Sequence, residues 1–336
     1  NYNKYSPVDG YLELKEAICE KFKKDNNLNY TPSQIIVSTG AKQCLSNVAL
    51  AMLNPGDEVI LPTPYWVSYS DITKIAGGIP VDIPTSLETH FKITPQQLEE
   101  AITPRTKMMW LSSPGNPSGV IYTREELEAL AQVLRKYPNI FILSDEIYEH
   151  INYMGQHVSF AQIEGMYERT ITVNGLSKAF AMPGWRMGYM GAPEWIVKAC
   201  AKIQGQITSG ANTIAQRASI TALKAPLSKI QYMIDEYRKR RDIVYQLLND
   251  IKGLKTNLPD GAFYFFPDVS YYFEKTLRGR LIQNASDLSI YLLEEANVAT
   301  VTGDAFGNSK CLRLSYATSE KDLREALRRI KEALEN

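Results

Sequence analysis

Short apolar segments alternate with amphipathic segments through most of the chain, and this alternation limits the possible folds more than any other feature. The apolar segments are too short for helices, whereas the segments between them repeat apolar residues at helical spacing. Apolar strands that alternate with helices are typical of a mainly parallel sheet covered on both faces. We therefore predict an α/β fold with a seven-stranded sheet. The predicted strands are 35–38, 58–61, 79–83, 107–111, 141–144, 170–173 and 188–191.

The pattern changes after Pro226 and indicates a second, smaller domain. A long basic amphipathic helix is predicted at about 227–251, and a last helix capped by Ser319 carries its apolar residues on one face. We predict a large domain over 1–230 and a small α+β domain over 231–336. The strands predicted for the small domain are 262–266, 298–302 and 311–315.

The balance of charge excludes several classes of function. The chain has 37 Lys and Arg residues against 37 Asp and Glu residues, so no net field attracts nucleic acid or an anionic membrane. No apolar run approaches the roughly 20 residues that span a bilayer, and no signal-peptide pattern precedes the first predicted helix. We therefore expect neither a nucleic-acid partner nor a membrane partner.

Cysteine and histidine usage indicates a reducing compartment. The four cysteines are isolated within apolar periodic segments, so they fit buried thiols better than disulfides or a metal site. The three histidines, His90, His150 and His157, lack the spacing of a zinc site. We expect a cytoplasmic protein that uses neither a metal nor a histidine-based triad.

A lysine without charged neighbours follows the sixth predicted strand. The turn Asn174-Gly175 delivers Ser177 and Lys178 among small and apolar residues. Such surroundings lower the pKa of an amine and make it a nucleophile toward a carbonyl carbon. Taken alone, a loop lysine that extends into water is the more common explanation. The other strand ends decide between the two interpretations, because ligands of open α/β sheets bind beyond the carboxyl ends of the strands.

The end of the first strand is a candidate anion site. Gly40 and Ala41 precede a helix whose free backbone N–H groups suit a phosphate. The segment has neither the P-loop nor the dinucleotide-binding glycine spacing, which also disfavours a nicotinamide-dependent dehydrogenase. Lys42 lies at the positive end of the same helix, so it either needs an anion nearby or extends into water.

Two further strand ends carry polar groups. The loop 112–119 contains Asn116, for which turn chemistry is an equally good explanation. Asp145 ends the fifth strand, where its burial requires either a helix N-terminus that it caps or a buried cation. Tyr148 would face the same side as Asp145 if a helix begins there.

Three more side chains complete a set with one chemical purpose. Arg186 returns after Pro183-Gly184, and its planar donors suit a phosphate, with a surface ion pair as the alternative. Arg313 lies on a short alternating strand, where it is either solvated or directed into a cleft between the domains. Trp66 adds an aromatic face. A nucleophilic amine, an anion site, a buried carboxylate, a phenol and two arginines are what pyridoxal phosphate and an amino acid require.

Several motifs then occur in a specific order along nearly the whole chain. They are Tyr5-Ser6-Pro7, Ser38-Thr39-Gly40-Ala41-Lys42-Gln43, Pro62-Thr63-Pro64-Tyr65-Trp66, Asn116-Pro117-Ser118-Gly119, Ser144-Asp145-Glu146-Ile147-Tyr148, Ser177-Lys178-Ala179-Phe180 with Gly184-Trp185-Arg186, and Arg313-Leu314-Ser315-Tyr316. In this order the motifs resemble those of fold type I pyridoxal-phosphate enzymes, specifically class I aminotransferases of the bacterial and thermophilic aspartate aminotransferase branch.

The resemblance implies roles around the cofactor ring. Lys178 would hold the cofactor aldehyde and later move the proton between the substrate Cα and C4′. Asp145 would keep the pyridine nitrogen protonated, and Trp66 would stack on the ring. Asn116 and Tyr148 would bond the phenolic oxygen of the ring.

It also implies how the phosphate and the substrate are held. Arg313 would bind the substrate α-carboxylate with help from Asn116, and Trp66 would adjoin the substrate. Lys42, at the cofactor site, would meet the distal carboxylate of a dicarboxylic substrate. The phosphate would be held by Gly40, Ala41, Ser177 and Arg186, and by Tyr5 of the neighbouring subunit.

The expected protein is therefore a homodimer with shared active sites that transfers amino groups between L-aspartate and 2-oxoglutarate by a ping-pong mechanism. The alternatives are an aminotransferase that prefers prephenate, aromatic amino acids or alanine, a pyridoxal-phosphate lyase on the same scaffold, and a non-catalytic amino-acid sensor. The sequence begins at Asn1 without Met, and we expect that the N-terminal arm of the family is missing from it.

Overall fold

The computed structural model describes residues 2–335 and contains the predicted α/β sheet. Seven strands of this part of the chain form it, namely β1 Ile35–Thr39, β2 Glu58–Pro62, β3 Ile79–Ile83, β4 Thr106–Ser112, β5 Phe141–Asp145, β6 Thr170–Gly175 and β7 Met187–Gly191. Their order across the sheet is β1-β7-β6-β5-β4-β2-β3. The pairs among β2 to β6 are parallel, and β7 runs antiparallel to both β6 and β1. The predicted mainly parallel sheet is confirmed.

Helices cover both faces of this sheet because its strands are apolar on both sides. Along β2, Val59 and Leu61 join one hydrophobic core, whereas Ile60 between them joins a second core on the opposite face. The loops at the carboxyl ends of the strands are left free to form a site. The helices of this region are α1 Leu12–Asn26, α2 Ala41–Met52, α3 Ser68–Ile75, α4 Pro95–Ala101, α5 Arg124–Arg135, α6 Glu194–Ile207 and α7 Thr213–Lys224.

The C-terminal part has a core of its own, built from residues between Val244 and Leu334. Its strands β8, β11 and β12 form an antiparallel sheet in the order β11-β12-β8. Ser319 caps the last helix, since its Oγ accepts a hydrogen bond from Asp322 N at 3.1 Å. We propose that the domain boundary lies near residue 230, in the first turn of α8. The elements are α8 Ser228–Asn249, β8 Tyr264–Phe265, β9 Lys275–Leu277, β10 Arg280–Ile282, α9 Ala285–Ala296, β11 Val301–Thr302, β12 Leu312–Ser315 and α10 Glu320–Glu335.

The hairpin of β9 and β10 was not expected from the sequence. Arg278 and Gly279 connect the two strands with φ values of 45° and 83°. Two successive residues at positive φ form the hairpin turn whose twist matches that of the strands. The glycine at the second position was the available signal, but the flanking strands are too short to show an alternating pattern.

Buried polar groups fix the turn that follows β5. Glu149 lies in this turn and forms an ion pair with Lys21 of α1, and the side chains of both residues are almost fully buried. Asn174 Nδ2, at the end of β6, donates to Glu149 Oε1 at 2.6 Å, and Asn26 Nδ2 donates to Oε2 at 2.7 Å. A buried carboxylate with these partners holds α1, the β5 turn and the end of β6 together.

The cysteines are free thiols, as the sequence predicts. Cys44, Cys200 and Cys311 are buried, whereas Cys19 is only half-buried, which is more exposure than expected. Among the helices of residues 2–335, none combines the length and the apolar character needed to cross a bilayer.

Candidate active site

A cavity of about 330 Å³ lies at the carboxyl ends of the central strands and is bounded by β12 of the C-terminal part. All the site residues predicted from the sequence line this cavity except Gly40 and Tyr5. The predicted residues that line it are Ala41, Lys42, Trp66, Asn116, Asp145, Tyr148, Ser177, Lys178, Arg186 and Arg313. Tyr69, Ser112, Ile147, Pro183 and Tyr264 also line it and were not predicted.

Lys178 is half-buried in this cavity and lies among aromatic rings. Its Nζ is 5.4 Å from the ring centroid of Tyr148 and 5.6 Å from that of Phe263. Burial lowers the pKa of Lys178 below its ordinary value, and this effect outweighs the opposing attraction of Asp145. The direction agrees with the pKa expected from the apolar neighbours of Lys178.

The start of α2 forms a cradle with Arg186. Gly40 precedes the helix at φ 85°, and no side chain caps the helix N-terminus. The Arg186 guanidinium packs against Gly40 so closely that a Cβ at Gly40 would lie 2.4 Å from Nη2. Arg186 itself has φ 53°, a left-handed conformation that costs a non-glycine residue about 1 kcal/mol or more. Uncapped N–H groups beside an arginine form an anion-binding site.

The free cations of the cavity have no carboxylate partners. Within residues 2–335, neither Lys42 nor Arg186 forms an ion pair; Arg186 Nη1 donates instead to the carbonyl oxygen of Pro183 at 2.9 Å. The surface ion pair considered for Arg186 is therefore absent from the described chain. The ammonium of Lys42 lies 4.7 Å from the ring centroid of Trp66 at the cavity wall, although the residue is exposed overall.

Asp145 is buried, and no cationic side chain of residues 2–335 forms an ion pair with it. The residue is only 4% exposed, and its carboxylate accepts hydrogen bonds from Tyr69 Oη at 2.7 Å and from Ile147 N at 3.3 Å. Burial raises the pKa of Asp145 to about 6, although the hydrogen bond from Tyr69 opposes the shift. The helix considered after Asp145 is wrong: a turn follows instead, and Tyr148 reaches the cavity from that turn.

Arg313 reaches the cavity from β12 rather than solvent. Its Nη1 donates to Asn116 Oδ1 at 3.1 Å, and the guanidinium lies 4.7 Å from the ring centroid of Tyr264 and 4.9 Å from that of Phe306. The arginine is thus held at the junction of the two parts of the chain, with donors left over for a carboxylate.

Sequence reasoning missed two tyrosines with clear partners. Tyr69 lies three residues after Trp66, on α3, and bonds Asp145. Tyr264 pairs with Ser315 across β8 and β12, which places it beside Arg313. The sequence marks the place of each tyrosine, because Tyr69 follows the motif that contains Trp66 and Tyr264 lies in the predicted strand 262–266. Neither position in the sequence reveals that the side chain contacts a distant segment.

Tyr5 is the predicted residue that the chain does not bring to the cavity. It is 97% exposed in the N-terminal segment. Its predicted contact with a phosphate requires a second subunit, so this role stays a prediction.

The residues present fit pyridoxal phosphate. The cradle of Gly40 and Arg186 suits the phosphate, and a Cβ at position 40 would displace the guanidinium from its present place. Asp145 is a buried carboxylate that lacks a cation, which a protonated ring nitrogen provides. Lys178 has the lowered pKa of an amine that attacks an aldehyde.

Comparison with known proteins agrees with this fit. The family model described as aminotransferase class I and II matches residues 1–330. An aspartate/prephenate aminotransferase from Cereibacter sphaeroides is 49% identical over 97% of this chain and 82% of its own length. An aspartate aminotransferase from Pinus pinaster is 47% identical over 99% of this chain and 69% of its own length. The solved structure of the aspartate aminotransferase from Rhizobium meliloti has a TM-score of 0.96 at 47% identity, covering 99% of this chain and 84% of that one.

Proposed function

This chain belongs to the class I and II aminotransferases, and we propose that it transfers the amino group of L-aspartate to 2-oxoglutarate, which gives oxaloacetate and L-glutamate. One observation carries the choice of substrate: Lys42 and Arg313 line the same cavity as Lys178. With Arg186 assigned to the phosphate, two cations remain for the two carboxylates of a dicarboxylic amino acid.

Lys178 performs the proton transfer in this proposal. Pyridoxal phosphate supplies an aldehyde that takes the amino group and a ring that withdraws electrons from the substrate Cα. Lys178 Nζ would hold the cofactor until the substrate amine replaces it, and would then accept the Cα proton as a general base. The lowered pKa of Lys178 favours the neutral amine that both roles require. Because one cavity serves both half-reactions, oxaloacetate leaves before 2-oxoglutarate binds.

Four other side chains would hold the cofactor ring. Asp145 pairs with the ring nitrogen and keeps it protonated, since a buried carboxylate favours a cationic partner. Asn116 and Tyr148, which both line the cavity, would bond the phenolic oxygen of the ring. Trp66 would stack on the ring. Its indole also contacts the ammonium of Lys42, so the proposed specificity residue Lys42 lies beside the cofactor ring.

The phosphate and the substrate are held by separate cations. Gly40, Ala41, Ser177 and Arg186 bind the phosphate through backbone N–H groups, a hydroxyl and the guanidinium. Arg313 binds the α-carboxylate of every substrate. Lys42 binds only the distal carboxylate, so substrate preference depends on Lys42 rather than on Arg313.

A panel of amino donors, with 2-oxoglutarate as the acceptor and the cofactor-loaded enzyme, tests this assignment. We expect kcat/KM for aspartate to exceed the values for phenylalanine and alanine by at least about tenfold, because only aspartate engages both cations. Equal values for the three donors would contradict a dicarboxylate site. Release of ammonia and pyruvate in place of transamination would identify a lyase.

Prephenate is the second candidate substrate. The relative from Cereibacter sphaeroides is named an aspartate/prephenate aminotransferase, and prephenate also carries two carboxylates. Two cations without ion-pair partners suit either compound. Prephenate offered as the acceptor beside 2-oxoglutarate, with aspartate as the donor, distinguishes a narrow dicarboxylate preference from a dual one.

We further propose a cytoplasmic homodimer with shared active sites. The free cysteines support a reducing compartment. The exposed apolar residues Trp185 and Ile214 line a groove that also contains Arg186, and Tyr5 is exposed, which supports a partner beside the cofactor site. Sedimentation of the purified protein tests the dimer. Mixing a Tyr5→Phe variant with a Lys178→Ala variant tests sharing, since mixed dimers would regain one intact site.

A further inference from the structure

Tyr264 of β8 contacts two groups on which the proposed reaction depends. It is 6% exposed, and its hydroxyl oxygen lies 3.0 Å from that of Tyr148. Its ring lies under the Arg313 guanidinium, with 4.7 Å between Cζ and the ring centroid. Tyr148 follows β5 of the large sheet, whereas Arg313 lies on β12, the strand that pairs with β8. Tyr264 therefore connects the residue that faces the cofactor to the residue that faces the substrate carboxylate.

We propose that Tyr264 is a positioning residue that orients the Tyr148 hydroxyl through a hydrogen bond and the Arg313 guanidinium through its ring. This inference rests on the proposed function, because the roles of Tyr148 and Arg313 come from it. The two contacts use different parts of one side chain, so the hydroxyl can be removed while the ring is kept.

The direction of the hydrogen bond follows from what Tyr148 has to do. Either hydroxyl can donate on distance alone. When the Tyr148 hydroxyl donates into the cavity, its oxygen is left to accept, and Tyr264 becomes the donor. Successive hydroxyl groups polarise each other, so the bond from Tyr264 makes Tyr148 a stronger donor. The positive charge of Arg313 beside Tyr264 adds to this polarisation. Burial raises the pKa of Tyr264, and the hydrogen bond with Tyr148 and then the charge of Arg313 oppose that rise.

Other charged groups also surround Tyr148, and the test has to separate them from Tyr264. The charges of Asp145 and Arg313 act on the Tyr148 hydroxyl, and Lys178 Nζ lies 5.4 Å from its ring centroid. Burial keeps the pKa of Tyr148 well above its ordinary value, so it stays protonated in the working range. Removal of only the Tyr264 hydroxyl changes one hydrogen bond and none of these charges.

Tyr264→Phe in the cofactor-loaded enzyme tests the hydrogen bond. The hydrogen bond that Tyr148 donates to the anionic phenolic oxygen of the cofactor favours the deprotonated form of the bound cofactor. Without the Tyr264 hydroxyl, Tyr148 is a weaker donor and this form is less favoured. We therefore expect the pH at which the bound cofactor's visible absorption changes to rise by about half a unit, and kcat to fall about fivefold. KM for aspartate should stay within about twofold, because the ring under Arg313 remains. In a Tyr148→Phe background the same substitution should add no further shift.

Tyr237→Phe is the matched control, since the Tyr237 hydroxyl has no hydrogen-bond partner within residues 2–335 and its ring packs near Phe263 and Tyr316. It should leave the absorption titration unchanged. An unchanged titration in Tyr264→Phe, or a shift of the same size in the Tyr148→Phe background, would overturn the hydrogen-bond assignment.

Tyr264→Leu tests the ring contact. It removes one of the two aromatic faces against Arg313 and leaves that of Phe306, so KM should rise about tenfold for aspartate and for glutamate, which share the α-carboxylate. The Kd of succinate, measured by calorimetry, should rise by a similar factor. Unchanged KM and Kd in Tyr264→Leu would overturn the positioning of Arg313. The absorption titration and the calorimetry need no turnover, so they test this inference independently of catalysis. Failure of the aminotransferase assignment would instead be revealed by a wild-type enzyme that shows no transamination.

Discussion

The Tyr69 hydroxyl donates a 2.7 Å hydrogen bond to Asp145 Oδ2, and both side chains are buried between the sheet and α3. It is the shorter of the two hydrogen bonds that residues 2–335 donate to the Asp145 carboxylate, since the other donor, Ile147 N, lies 3.3 Å away. Asp145 is proposed to keep the ring nitrogen of the cofactor protonated. The negative charge that it needs for this role is stabilised mainly by one phenol, that of Tyr69.

Tyr69→Phe should weaken the reaction without abolishing it. Without the phenol the pKa of Asp145 rises further, so less carboxylate is present to keep the ring nitrogen protonated. We expect kcat to fall about tenfold, which corresponds to a hydrogen bond to a charged group. Steady-state kinetics measures the change. Tyr65→Phe, which removes the nearby hydroxyl that bonds Asp82, is the control and should retain full activity.

Asp145→Asn should separate stability from activity. The pKa of Asp145 lies at about 6 in the folded protein, above its ordinary value of 3.8, so the folded state binds the proton more tightly than the unfolded state. The contribution of Asp145 to stability is therefore lost as pH rises from about 4 to about 6, by about 3 kcal/mol.

Denaturation of the cofactor-free protein at pH 4 and pH 7 measures this contribution. The fall in stability between these pH values should be smaller in Asp145→Asn than in the wild type, whereas kcat should drop by about two orders of magnitude or more. An identical pH dependence in both proteins would show that Asp145 is not the buried group responsible.

Lys178→Ala should reduce transamination to the background rate, since Lys42, the other lysine that lines the cavity, is exposed and lies against Trp66 at the cavity wall. The visible absorption of the covalently held cofactor should disappear as well. A far-ultraviolet circular dichroism spectrum checks that the variant is folded. Transamination retained by this variant would contradict the assignment of the reaction.

Lys42→Ala should change substrate preference more than rate. We expect kcat/KM for aspartate to fall about 10- to 100-fold, while the value for phenylalanine stays within about twofold, because only aspartate has a distal carboxylate. Lys202→Ala, at an exposed position of α6, is the matched control. An equal loss for both donors would mean that Lys42 acts on the cofactor instead of the substrate side chain.

Gly40→Ala should weaken cofactor binding through the phosphate. The new Cβ would meet Arg186 Nη2 at 2.4 Å and displace the guanidinium. Calorimetry should give a Kd for pyridoxal phosphate at least about tenfold higher, with little change for pyridoxal, which lacks the phosphate. Gly56→Ala is the control for backbone strain, since Gly56 has a similar φ of 91° and open space around it. Equal effects of the two substitutions would attribute the loss to strain alone.

The sequence alone predicts the sheet and most of the residues around the cavity. This is possible because strands are recognised from short apolar runs, and the site residues Gly40, Asp145 and Lys178 lie at the ends of those strands or within a few positions after them. In a parallel sheet the carboxyl ends share one edge, so local order along the chain becomes proximity in space.

Tertiary packing decides the contacts between distant segments. Arg313 and Asn116 are 197 residues apart in sequence, and their hydrogen bond exists only because β12 closes over the large sheet. Tyr69 and Tyr264 acquire their partners in the same way, through the packing of α3 and the pairing of β8 with β12. A sequence pattern shows which residues of one segment are buried, because buried positions recur with the period of a helix or a strand. The partner of a buried polar group depends instead on how that segment packs against others.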